Sequence, residues 1–216
     1  MIRAVSLDVG ETVVNETREY GAWADWLDVP RHTFSAVFGA VIACGGDYRE
    51  TFQFFRPGFN LDEERQKRAD AGEGEAFGEE DLYPDARPGM EAMSLSDVKV
   101  GLAGNQTATA EGILRGLDLP VDSIGTSASW GVEKPSPAFF ERVVEEMGYA
   151  PAETLYVGDR LDNDILPAQE AGLQTAFIRR GPWGHILDTP AASRCLFRVA
   201  NLTELATLVE QHNQAA

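Results

Sequence analysis

Ala4-Val5-Ser6-Leu7-Asp8-Val9-Gly10-Glu11-Thr12 begins as a short apolar run, ends that run in an acid, and places a glycine two residues later. The pattern predicts a buried strand over residues 2–7 that delivers one carboxylate to the edge of a sheet, where the chain turns away. In open α/β sheets, ligands bind beyond the carboxyl ends of the strands, near the point where strand order reverses. Asp8 is therefore a candidate for chemistry, although strands also end in Asp simply to make a turn. The rest of the chain decides between the two.

Working outward, strand-like runs recur at 98–103, 123–126, 154–157 and 174–178. Helical patterns separate them. One covers about 107–117. A second runs to Met147, with Ser136 placed to cap it and Pro137 at its first position. A third ends at Ala171 before Gly172, and Asn201 with Glu204 forms a capping pair for the last. Strands alternating with helices predict a doubly wound parallel sheet, an α/β fold. From about residue 17 to 80 the pattern changes. Trp23, Trp26 and Leu27 fall at helical spacing, as do Phe34, Phe38, Val41 and Ile42. Residues 61–80 read as a solvated helix and a mobile connection. Tyr83-Pro84-Asp85-Ala86-Arg87-Pro88-Gly89 reads as the break before the regular pattern resumes. The expected division is a core of 1–15 and 82–216 with an all-helical insert of 16–81.

The chain has 216 residues, 44% of them hydrophobic, enough for one core and a small insert. Its 35 acids against 18 bases give a formal charge of -17, which disfavours nucleic acid and anionic lipid as partners. No apolar run is long enough to span a bilayer, and no secretory leader is legible, so the expected location is cytoplasmic. Cys44 and Cys195 lack metal-ligand spacing and read as incidental thiols. Nothing in the sequence speaks to oligomeric state.

Four strand ends offer polar groups: Asp8, Gly104-Asn105, Lys134, and Asp159 with Asp164. In this order and spacing the chain resembles the haloacid dehalogenase-like (HAD) hydrolase superfamily. The resemblance runs over nearly its whole length: acid strand, helical cap, second strand, lysine, then Gly-Asp-x-x-x-x-Asp. It implies a Rossmann-like core with a cap domain. Asp8 would be the nucleophile of a covalent aspartyl intermediate, and Lys134 a compact charge holding Asp8 and the substrate anion. Mg²⁺ would be held by Asp8, the carbonyl of Gly10, Asp159 and Asp164, with Asp162 a competitor for one of the last two places. Thr12, Gly104, Asn105 and Lys134 would bind the phosphate of a small phosphorylated substrate. The cap would open for entry and close to exclude water, with Trp23, Trp26, Tyr48, Phe52, Phe55 and Arg56 as candidates for lining the pocket or for its own core.

Two positions depart from the superfamily's pattern. Phosphatases of this kind carry a second Asp two residues after the nucleophile as general acid and base; here that residue is Gly10. General acid–base help is typically worth about 10²–10⁴ in rate, or roughly 3–5 kcal/mol of barrier. Glu11 could replace it only if the turn re-aimed its side chain, since successive side chains of an extended segment alternate. Gly104 stands where Ser or Thr is usual, at a cost of about 1 kcal/mol for one lost hydrogen bond. Three readings follow: a Mg²⁺-dependent phosphatase that is slow or limited to good leaving groups, a 2-haloacid dehalogenase using Asp8, and a non-catalytic metabolite-binding relative.

Overall fold

The structure is a computed structural model that describes residues 1–188 and 194–215. β1 (Ala4–Leu7) is fully buried and shorter by two residues than the sequence predicts. Four helices follow: α1 (Thr17–Trp26), α2 (Arg31–Ala43), α3 (Glu50–Phe55) and α4 (Leu61–Asp70). After a 3-10 turn at Glu79–Asp81 come α5 (Ala86–Leu95), β2 (Lys99–Gly104), α6 (Ala108–Gly116), β3 (Ser123–Thr126), α7 (Ser127–Trp130) and α8 (Pro137–Met147). The chain continues with β4 (Thr154–Gly158), a π-helical turn (Leu161–Ile165), α9 (Leu166–Glu170), β5 (Gln174–Ile178), α10 (Gly181–Ile186), β6 (Phe197–Val199) and α11 (Leu202–Gln214).

The chain divides into two compact units, Met1–Asn15 with Leu82–Ala216, and Glu16–Asp81. In the first, six parallel strands form one sheet in the order β3-β2-β1-β4-β5-β6. Strand order reverses at β1, so the mouth of the sheet lies beyond the ends of β1 and its neighbours. The right-handed rule for parallel crossovers assigns α5 and α6 to one face of the sheet and α8 and α9 to the other. Phe139, Phe140, Val143 and Met147 of α8 pack on Ala4, Ala103 and Tyr156, with Ala168 of α9.

Several local expectations change. The break at 83–89 is shorter than expected: residues 83–85 are coil and turn, and α5 starts at Ala86. Pro88 falls in the first turn, where a missing N–H costs nothing. Gly89 lets α11 approach, since a Cβ there would fall 2.5 Å from Leu202 Cβ. Ser136 caps α8 by position only, without a side-chain hydrogen bond. Asn201 Oδ1 accepts from Glu204 N at 2.8 Å as expected, but the Glu204 carboxylate reaches Ala200 N instead of completing the box. The short α7, α10 and β6 carry too few residues for a period to register in sequence.

The second unit is held by aromatics. Trp23, Phe34, Phe38, Phe52 and Phe59 are buried, and Phe52 stacks on Phe59 at 4.9 Å. Of the candidate pocket residues, Trp23 and Phe52 belong to this core, Trp26, Tyr48 and Phe55 are half-buried, and Arg56 is exposed. Charged α4 is not simply solvated. Glu64 and Arg68 are buried, Glu64 accepting from Trp26 Nε1 at 2.8 Å and Arg68 lying 4.1 Å over the Trp23 ring. No described helix is long and apolar enough to cross a membrane.

Candidate active site

Parallel register brings the candidate residues together. Leu7 pairs with Leu102 on one side and Val157 on the other, and Asp8 N donates to Val157 O at 2.8 Å. Asp8 therefore lies level with the ends of β2 and β4, where Gly104 and Gly158-Asp159 leave the sheet. Asp8, Asp159 and Asp164 are all buried, and one carboxylate oxygen from each lies within 4.8 Å of the others. Lys134 Nζ sits 2.6 Å from Asp8 Oδ1 and 2.7 Å from Asp164 Oδ1.

Each side chain is held by its surroundings. Lys134 is 3% exposed, with Nζ 5.6 Å above the Tyr156 ring, whose hydroxyl donates to Ala103 O at 2.7 Å. The Asn105 side chain clamps the Lys134 backbone, accepting from Lys134 N at 2.8 Å and donating to Lys134 O at 3.0 Å. Asn105 thus holds the Lys134 backbone in place, a contact that the sequence did not reveal. Asp164 comes from the π-helical turn, a feature common at functional sites, and its Oδ2 accepts from Arg160 N at 3.0 Å. Glycine at 158 is required, since a Cβ there would fall 2.3 Å from Asp164 Oδ2. Asp162 is the bystander: its side chain is 60% exposed and paired with Arg160 at 2.8 Å.

At the second departure, a Cβ on Gly104 would lie 2.8 Å from Asp8 Oδ1, so the Asp8 carboxylate fills that space. Thr12 is fully buried, and its Oγ1 has no hydrogen-bond partner among the described residues. Gly10 forms an isolated bridge to Val14 that closes the loop after β1. Glu11 is re-aimed by a left-handed backbone, φ +52, and Tyr83 donates its hydroxyl to Oε2 at 2.5 Å.

Three carboxylates share this enclosure with one ammonium. Burial opposes the charge on Lys134, but Asp164 and Asp8 outweigh it and hold the amine protonated well above its usual range. Burial pushes the Asp164 carboxyl up to about 6, against the pull of Lys134 and helped by the Asp8 charge. Burial, and then the hydrogen bond to Glu11, raise the Tyr83 phenol far above its usual value, so it stays a donor. The all-oxygen donor set and the excess of negative charge over Lys134 fit a hard divalent cation such as Mg²⁺.

Sequence reasoning missed Arg180 and its partners. Arg180 is 6% exposed, donates to Thr12 O at 2.8 Å, pairs with Asp85 and lies 4.2 Å over the Tyr83 ring. The available signal was a charged pair, Arg179-Arg180, directly after the buried strand Thr175-Ala176-Phe177-Ile178, at the edge where the other strands deliver their polar groups.

Residues 132–192 match the family profile described as HAD-hydrolase-like. Glyceraldehyde 3-phosphate phosphatase from Methanopyrus kandleri is 36% identical over 104 residues, 47% of this chain and 45% of that protein. The enzyme of the same name from Methanocaldococcus jannaschii is 36% identical over 89 residues, 41% of this chain and 38% of that one. The matched region thus spans less than half the length of these curated relatives. Among solved structures, a haloacid dehalogenase-like hydrolase from Bacteroides fragilis superposes with TM-score 0.69 at 17% identity, covering 95% of this chain and all of that one. The HAD-hydrolase YfnB from Bacillus subtilis, solved bound to magnesium, gives 0.68 at 20% identity over 96% of this chain and 98% of that one.

Proposed function

We propose that this chain, which has the HAD-like hydrolase fold and matches that family's profile over residues 132–192, is a Mg²⁺-dependent phosphatase of a small phosphorylated metabolite. The observation that carries the reading is the buried cluster of Asp8, Asp159 and Asp164 closed by Lys134 at 2.6 and 2.7 Å. The partial similarity to archaeal phosphatases supports the reaction class.

Asp8 is the nucleophile. One of its oxygens bonds to phosphorus as the ester P–O bond breaks, and the leaving oxygen departs with that electron pair. Lys134 holds Asp8 in place and offsets negative charge on the phosphoryl group. Asp8, Asp159 and Asp164, with the Gly10 carbonyl, are the residues that would hold the cation, which when bound neutralises phosphoryl oxygens and polarises phosphorus. Thr12 Oγ1, buried and without a partner among the described residues, is available to the phosphoryl group, as are the amides after Gly104. Water then adds to phosphorus, the Asp8–phosphorus bond breaks and inorganic phosphate leaves.

Gly10 offers no side chain to protonate the leaving oxygen. A leaving group that needs no proton avoids that loss, so aryl and acyl phosphates are the favoured substrates. The helical unit Glu16–Asp81 is assigned to substrate choice, as a cap. The test is phosphate release from an aryl phosphate and from acetyl phosphate, with Mg²⁺ and with a chelator. Release that requires Mg²⁺ supports the reading; halide release from a 2-haloacid without metal, and no phosphate, would replace it with the dehalogenase.

A further inference from the structure

Glu11 breaks two local rules at once. It takes φ +52 although it is not glycine, and its carboxylate side chain is buried, with 6% of the residue exposed. A left-handed backbone and a buried carboxylate persist only where the surroundings over-determine them, and such residues gather at functional sites. Three contacts over-determine Glu11. Tyr83 donates its hydroxyl to Oε2. Glu11 N donates to Val14 O at 2.7 Å. Gly181, itself at φ +57, packs so close that a Cβ there would lie 2.5 Å from Glu11 Cγ.

A second tether reaches the adjacent residue. Arg180 donates to Thr12 O at 2.8 Å, lies over the Tyr83 ring and pairs with Asp85, which also accepts from Leu202 N at 2.6 Å. The loop that follows the nucleophile is thus fastened at two consecutive residues to the α5 entrance, the end of β5 and the start of α11. We infer that Glu11 is a positioning residue: through Tyr83, Gly181 and Arg180 it fixes the shape of residues 9–14, and with it the placement of the Gly10 carbonyl and Thr12 beside Asp8. The role requires an acceptor oxygen on residue 11, not a transferable proton.

The kinetic side of this inference rests on the phosphatase reading; the structural side does not. The test compares Tyr83→Phe, Glu11→Ala and Glu11→Gln in the full chain by amide hydrogen exchange and by kcat and KM for an aryl phosphate with Mg²⁺. Tyr83→Phe and Glu11→Ala should speed exchange of the 9–14 amides roughly tenfold or more, the scale of one lost hydrogen bond to a charged group, while β4 amides keep their protection. Both should lower kcat by a similar factor with KM little changed. Glu11→Gln, which keeps the acceptor, should match the parent in exchange and turnover. Unchanged exchange in Tyr83→Phe, the variant least able to disturb folding, overturns the inference. So does a Glu11→Gln protein that keeps its protected loop yet loses turnover, which would make Glu11 a proton donor. If the parent chain releases no phosphate, the phosphatase reading fails while the exchange result still decides the clamp.

Discussion

Replacing Lys134 by methionine removes the one ammonium that faces Asp8 and Asp164 and leaves their carboxylates, with that of Asp159, buried among themselves. The oxygens of the three lie within 4.8 Å of one another. Two unit charges at that separation repel by about 3.5 kcal/mol at an effective dielectric of 20. Removing one partner of a buried pair is measured at about 3–5 kcal/mol, and the two figures agree. Lys134→Met should therefore lose about 3–5 kcal/mol of unfolding free energy in a chelator, read by urea denaturation followed by far-UV circular dichroism. Mg²⁺ should narrow the difference to the extent that the variant, with its uncompensated negative charge, binds it more tightly than the parent, each tenfold in Kd being worth about 1.4 kcal/mol. A loss under about 1 kcal/mol, the scale of an exposed pair, would refute the claim that Lys134 neutralises a buried acidic cluster. Parent stability that does not rise at all with Mg²⁺ would refute the claim that a cation shares the cluster.

Gly158→Ala should cost about 1–3 kcal/mol by overpacking and weaken Mg²⁺ binding, because the new methyl displaces Asp164; calorimetric titration checks the second effect. Gly89→Ala should cost a similar amount, about 1–3 kcal/mol, by pushing α5 off Leu202, and its thermal midpoint should fall while kcat is unchanged. Gly10→Asp should raise turnover of an alkyl phosphate more than that of an aryl phosphate, by about 10²–10⁴-fold if the new carboxyl protonates the leaving oxygen; an equal change for both would show that proton transfer is not what Gly10 lacks.

The parallel sheet was legible because buried strands announce themselves as short apolar runs, and Asp8, Gly104 and Asp159 each end or directly follow one. Register alone then brings them level, since Leu7 pairs with both Leu102 and Val157. What the sequence hid depends on distance in space. Asn105 and Lys134 are 29 residues apart, and Arg180 lies 168 residues from Thr12; no spacing rule links either pair. Alternation argued that Glu11 faces away, and it holds only for extended backbone, which φ +52 is not. α5 was hidden because Pro88 and Gly89 carry the composition of a turn, while one occupies a first-turn position and the other a helix contact.

The most direct test of the account is to capture the intermediate. The chain is mixed with acetyl phosphate and Mg²⁺, quenched in acid within a turnover and digested, and the peptide bearing Asp8 is weighed beside the same peptide from Asp8→Asn. A phosphoryl group is expected on the Asp8 peptide of the parent, none in the variant, and no phosphate release by the variant. Phosphate release without an adduct, or an Asp8→Asn protein that turns over like the parent, would contradict Asp8 as the nucleophile.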